Sequence, residues 1–104
     1  MIRREQIVSL VRGSLTLDTI TARAYINGKD LLLTPKEFSL LFILVQNEGK
    51  LIMQEALYMS VWKQPMTGDN QAVKSAISRL RKKIEGSGYD VYSHRGMGYS
   101  FTKK

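Results

Sequence analysis

No cysteine occurs among the 104 residues, which excludes a disulfide framework and any thiolate-ligated metal site. Histidine occurs once, as His94. One imidazole does not make a three-ligand metal site without carboxylates converging on it, and no such spacing is present. There is no glycine-rich loop after a strand and no evident serine, histidine and acid set, so neither a catalytic residue nor a cofactor site is expected, and the chain does not read as an enzyme. Two prolines and no Pro/Gly-rich stretch leave no linker to divide the chain, whose length fits one domain. No apolar run approaches the ~20 residues needed to cross a bilayer. The opening "MIRREQIVSLVRGS" is too charged for a signal peptide, and a membrane is not expected as a partner. Acid is scarce in one region only. Residues 70–104 hold eight Lys/Arg and two Asp/Glu, a net of +6, against eight and seven, a net of +1, in residues 1–69.

What is present is a globular composition, 43% hydrophobic and 24% charged. A net charge of +7 concentrated in the last third suggests an acidic partner, nucleic acid first. A basic surface without such a partner is the alternative.

The first part of the chain has strand character. "EQIVSLVRGSLTLD" gives two runs around a turn at Arg12-Gly13-Ser14. Ile20, Ala22, Ala24 and Ile26 then alternate with Thr21, Arg23 and Tyr25, as a half-buried strand does. Asn27-Gly28 signals a two-residue hairpin, because both residues tolerate positive φ. Together these predict a four-strand antiparallel meander.

"TPKEFSLLFILVQNEG" is a helix with both ends written. Thr34 caps, Pro35 suits the first helical position and Glu37 completes a capping box. Phe38, Leu41, Phe42 and Val45 form its apolar stripe, and Gly49 suits the left-handed residue at its end. A short apolar link, "KLIM", leads to a second helix, "QEALYMSVW". "KQPMTGD" is a loop. A third helix starts near Asn70, a good cap, and ends around Gly86. "YDVYSHRGMGYSF" gives two strands around Arg95-Gly96-Met97-Gly98. Three helices followed by a hairpin is the winged-helix arrangement, with a helix-turn-helix in the second and third.

In the third helix Val73, Ile77, Leu80 and Ile84 recur at spacings of four, three and four, and at about 100° per residue they share one side with Ala76 at its margin. Gln71, Ser75, Ser78, Arg79 and Lys82 centre on the other side, flanked by Lys74 and Arg81. Small residues let a helix sink into a groove. Serine and glutamine bond base edges or phosphate, arginine makes bidentate contacts and lysine neutralises phosphate. The alternative is a solvated helix whose Lys82 and Lys83 merely offset the dipole at its C-terminus. It leaves unexplained why the exposed face of 71–83 has no acid. In the hairpin, Arg95 at a narrow tip suits a minor groove or a phosphate pair, or is an ordinary turn arginine. His94 is structural or a phosphate neighbour.

The segments "LLLTPKEFSLL", "EALYMSVW", "AVKSAISRLRKKI" and "RGMGYSF", in this order and spacing over nearly the whole chain, resemble the OmpR/PhoB-type winged-helix effector domain of bacterial two-component response regulators. The expected architecture is an α+β winged helix-turn-helix: a linker end over 1–6, antiparallel strands over 7–33, a three-helix core over 34–86 and a wing hairpin over 89–102. The resemblance implies sequence-specific binding of double-stranded DNA and regulation of transcription in the cytoplasm, with the third helix in the major groove and the wing in the minor. It implies that Arg79 and Arg81 contact DNA, that Ser75 and Ala76 help read bases, that Ser93 bonds phosphate and that Arg95 is the wing arginine. With Gln71, Lys74, Ser78 and Lys82 these side chains make the candidate DNA-binding set. It also implies a polymerase-facing loop over Lys63–Asp69, head-to-tail dimers on direct repeats, and control by a phosphorylated receiver domain in a longer chain. Five positions depart from the family pattern: Gln71 replaces an arginine, Lys74 an acid, Ala76 a polar residue, Met53 a Ser/Thr cap and His94 an apolar residue. Two other functions fit the charge. A stand-alone winged-helix binder needs no receiver, and a basic protein-interaction module would dock the third helix on an acidic partner. A double-stranded-RNA binder shares the charge but not the order of elements.

Overall fold

The alternating apolar residues of the first strands build an antiparallel meander of β1 (Ser9–Arg12), β2 (Leu15–Asp18), β3 (Arg23–Ile26) and β4 (Lys29–Asp30), in that order across the sheet. The structure, a computed structural model, describes residues 9–68 and 70–104. The expected linker end at 1–6, the start of the first strand at 7 and 8, and Asp69 lie outside the described residues. Leu15, Leu17 and Ala24 face inward and are fully buried. Asn27 and Gly28 take φ of 51° and 81° and pair Ile26 with Lys29, the two-residue turn whose twist matches that of the strands. The strand does not extend back to Ile20. The Asp18 carboxylate accepts from the backbone N–H of Ile20 at 2.9 Å and of Thr21 at 3.3 Å, which pulls the chain into a turn. Ala22 has a φ of 57° and Ile20 stays exposed.

Helix α1 (Pro35–Gln46) starts as its sequence dictates. The Thr34 hydroxyl accepts from the Glu37 N–H, and the Glu37 carboxylate accepts from the Thr34 N–H. Phe38, Leu41 and Val45 are buried with Leu40 and Leu44, while Phe42 is half-buried. The helix stops at Gln46. Gly49, with a φ of 84°, lies three residues further on, where its N–H donates to the Phe101 carbonyl at 2.8 Å.

The apolar link is a strand, β5 (Ile52–Met53), which joins a second sheet with β6 (Tyr89–His94) and β7 (Gly98–Lys103), in the order β5-β7-β6. Gly98 therefore belongs to a strand and not to the tip, which is Arg95–Met97. A Cβ on Gly98 would lie 1.9 Å from the Ile52 carbonyl oxygen, so its lack of a side chain is what lets β5 approach.

Helix α2 (Gln54–Trp62) begins without a side-chain cap at Met53. The Gln54 N–H donates instead to the Met97 carbonyl at 3.0 Å, so the wing supplies the missing acceptor. Helix α3 (Gln71–Lys83) also starts without a side-chain cap, contrary to expectation: Asn70 spends its amide on the Gln54 side-chain oxygen, 2.9 Å away, and pins α3 to α2. Val73, Ile77, Leu80 and Ile84 are buried in one core with α1, α2, Val91, Tyr99 and Phe101. The architecture is the winged helix-turn-helix. No helix among the described residues is long and apolar enough to cross a membrane.

Candidate nucleic-acid interface

The stripe that buries α3 fixes which side chains it shows. Gln71, Lys74, Ser78, Arg79, Arg81 and Lys82 are exposed, and Ser75 is half-buried. The wing stands beside this face. Gly96, with a φ of 73°, makes the tight tip possible, and the Met97 N–H closes it on the His94 carbonyl at 2.8 Å. Ser93 and Arg95 are exposed there. Between helix and wing runs an open groove of about 850 Å³. Lys74, Ser78, Arg81 and Lys82 line one wall, and Ser93 and Arg95 the other. Six of the nine predicted site residues thus share one groove; Gln71, Ser75 and Arg79 lie outside its lining.

The cations of α3 are not alike. Lys74 and Lys82 make no ion pair among the described residues, nor does Arg95. Arg79 donates from Nε to Glu37 Oε2 at 2.9 Å. Lys83 reaches Glu37 Oε1 at 2.8 Å and the Leu32 carbonyl at 3.0 Å. Arg81 meets Asp90 of β6 at 3.4 Å. The side chain of Glu37 is fully buried. Burial alone would raise its pKa, but hydrogen bonds from Lys83, the Thr34 N–H and Arg79 outweigh this and hold the carboxyl below its ordinary value. It stays ionised and anchors two cations of α3 to the first turn of α1.

Sequence reasoning gave Glu37 a capping role only and read Lys83 as a helix-dipole partner. The pairs Glu37–Arg79 and Glu37–Lys83 span 42 and 46 residues, and no local period announces them. Asp90 was missed in the same way. Its signal was its rarity, one of two acids in residues 70–104. His94 has a partner on its own hairpin, with Nε2 2.8 Å from the Ser100 hydroxyl, which favours its structural role. No group of metal-binding side chains occurs among the described residues. In the loop after α2, Lys63 takes a left-handed φ of 64°. Gln64 donates to the Tyr58 hydroxyl at 3.1 Å, beside the stacked rings of Tyr58 and Trp62.

Residues 28–101 match the family described as "Transcriptional regulatory protein, C terminal". The transcriptional activator protein IrlR of Burkholderia pseudomallei is 38% identical over 90 residues, which cover 84% of this chain and 39% of that protein. The DNA-binding domain of CpxR from E. coli matches with a TM-score of 0.84 and 30% identity, over 91% of this chain and 96% of that one. The Klebsiella pneumoniae RstA DNA-binding domain, solved in complex with the RstA box, matches with a TM-score of 0.81 and 29% identity, over 90% and 96% of the two chains. This chain spans about two fifths of the length of the curated relatives it matches. The family is one of transcription-factor DNA-binding domains, which is not an enzyme class. The motifs, the fold and these likenesses converge: the chain belongs to the OmpR/PhoB-type winged-helix effector domains of response regulators.

Proposed function

We propose that this chain binds duplex DNA sequence-specifically and regulates transcription, as the effector domain of a response regulator. The observation that carries this reading is the groove whose two walls present Lys74, Lys82 and Arg95; none of the three pairs with an acid among the described residues, although Glu85 and Asp90 also line the groove. A helix-wide exposed face beside a narrow cationic tip suits a duplex, with α3 in the major groove and the wing in the minor. In this arrangement Ser78 and Arg79 face base edges or the adjoining phosphates, with Gln71 and Ser75 at the helix start. Lys74, Arg81 and Lys82 neutralise phosphate, as do Ser93 and Arg95 from the wing. The RstA domain, of the same fold, was solved with its DNA box. By the same family logic the loop over Lys63–Asp69 faces RNA polymerase, two copies align head to tail on direct repeats, and a receiver domain controls them in the cytoplasm.

Binding to duplex DNA, duplex RNA and heparin across a salt series tests the reading, together with selection of bound sites from a random duplex pool. If ~4–6 phosphates are neutralised, log K should fall with log salt at a slope of roughly −4 to −5, and one motif should emerge. A flat salt dependence sinks the nucleic-acid reading. Equal affinity for the three polyanions with no motif leaves only a basic interaction surface.

A further inference from the structure

Helix α3 carries five cations between Lys74 and Lys83, and three of them, Arg79, Arg81 and Lys83, meet a carboxylate. Glu37 takes two. Its side chain is fully buried, yet Arg79 remains 57% exposed. The Arg79 bond leaves from Nε, so neither terminal nitrogen of the guanidinium is spent on Glu37. The other carboxylate oxygen, Oε1, accepts from Lys83 and from the Thr34 N–H, so the carboxylate cannot turn without breaking the capping box. A guanidinium held by Nε offers its free edge in one orientation, and a bidentate contact then costs less ordering. The same carboxylate offsets positive charge that would otherwise attract any phosphate.

Building on the proposed role of α3 in reading DNA, we propose that Glu37 is a specificity-determining positioning residue of the interface. It orients Arg79 and withdraws Lys83 and part of the charge of Arg79 from indiscriminate phosphate binding. Asp90 does the same more weakly for Arg81, across 3.4 Å from the base of the wing. A bridge that only knits α1 to α3 would behave differently. Its loss would lower stability and weaken binding to every duplex alike.

The test measures affinity for two probes across a salt series, with melting temperature alongside. One probe is the duplex that the wild-type chain selects from a random pool; the other is random-sequence duplex. Glu37→Gln keeps the size of the side chain and the acceptor for Thr34 but removes the charge. It should bind random duplex more tightly, with a salt slope steeper by about one unit. The selected duplex should gain nothing, so the ratio of selected to random affinity should fall at least about fivefold, the low end of what one bidentate base contact contributes. Asp90→Asn should shift the ratio in the same direction by less. It lies outside the capping box, and so decides the matter if Glu37→Gln does not fold. Glu48→Gln breaks the Arg12–Glu48 pair, 2.6 Å long and outside the groove, and should leave the ratio alone. The inference is overturned if Glu37→Gln, or Asp90→Asn in its place, changes both affinities equally, or if Glu48→Gln lowers the ratio as much. A wild-type chain with no salt-dependent duplex binding removes the DNA reading itself, and this inference with it. A wild type that binds, with a ratio these variants do not move, removes this inference alone.

Discussion

In the N-terminal part of the molecule Arg23 meets Asp30 at 2.7 Å and Arg12 meets Glu48 at 2.6 Å. On α3 and the wing, Lys74, Lys82 and Arg95 meet no acid among the described residues, and Arg79 and Lys83 have to borrow the carboxylate of α1. The first part is close to neutral, and two of its arginines pair with acids of that same part. The second leaves its excess on one surface, where like charges repel and folding gains nothing from them. Charge that the fold does not use is best explained by a polyanion that does.

The sharpest way to break this contrast is from the buried side of α3. Leu80 is fully buried in the core, and Leu80→Ala should cost about 2–5 kcal/mol, a large part of ordinary domain stability. Thermal or urea unfolding measures it. An unchanged melting temperature would mean that α3 is turned round, and with it the cationic face.

Gly98→Ala should come next. The new Cβ would meet the Ile52 carbonyl at 1.9 Å, so β5 must give way, at a cost of about 1–3 kcal/mol by the rule for overpacking. Because the Met97 carbonyl caps α2 beside it, affinity for the selected duplex should fall together with the melting temperature. A variant with both unchanged would mean that β5 does not hold the wing in place.

These two positions also mark what was legible in the sequence. The stripe Val73, Ile77, Leu80, Ile84, the capping box of Thr34 and Glu37, and the Asn27-Gly28 turn all rest on interactions within one or two turns of chain, and the structure has each of them. What failed was long-range or competitive. β5 is two residues long, and its partner β7 lies some 45 residues away, so no local pattern could reveal it. Asn70 had the right chemistry for a cap, but Gln54 competed for its amide. Ile20 to Ala22 alternated like a strand, but Asp18 offered the backbone a turn. The groove was readable because α3 has one apolar side, which forces its polar side outward. The pairs made by Glu37 were not, because charge counting does not say which acid meets which base.

On the exposed side the effects shift from folding to binding. Lys82→Ala should leave the melting temperature nearly unchanged and weaken selected and random duplex alike, reducing the salt slope by about one unit. Arg95→Ala should also spare stability, since a tip arginine packs little, and should weaken binding through the wing. Titration of both variants on both duplexes measures this. Wild-type affinity in Arg95→Ala would remove the wing from the interface, and wild-type affinity in Lys82→Ala would make α3 a solvated face.

The smallest effect is expected for Arg23→Ala, which removes the same single positive charge as Lys82→Ala but from the other part of the molecule. Arg23 is exposed on β3 and paired with Asp30. The Asp30 carboxyl is held below its ordinary pKa first by the Leu32 N–H and only then by Arg23. Losing Arg23 therefore leaves the larger contact in place, and Asp30 stays ionised at neutral pH. The melting temperature should shift little, as is usual when an exposed pair is broken. The salt slope on duplex DNA should match the wild type, because what sets it is where the charge sits and not the total charge. Equal slopes for Arg23→Ala and Lys82→Ala, both below wild type, would show that the chain binds through its overall charge and that the groove has no special part in it.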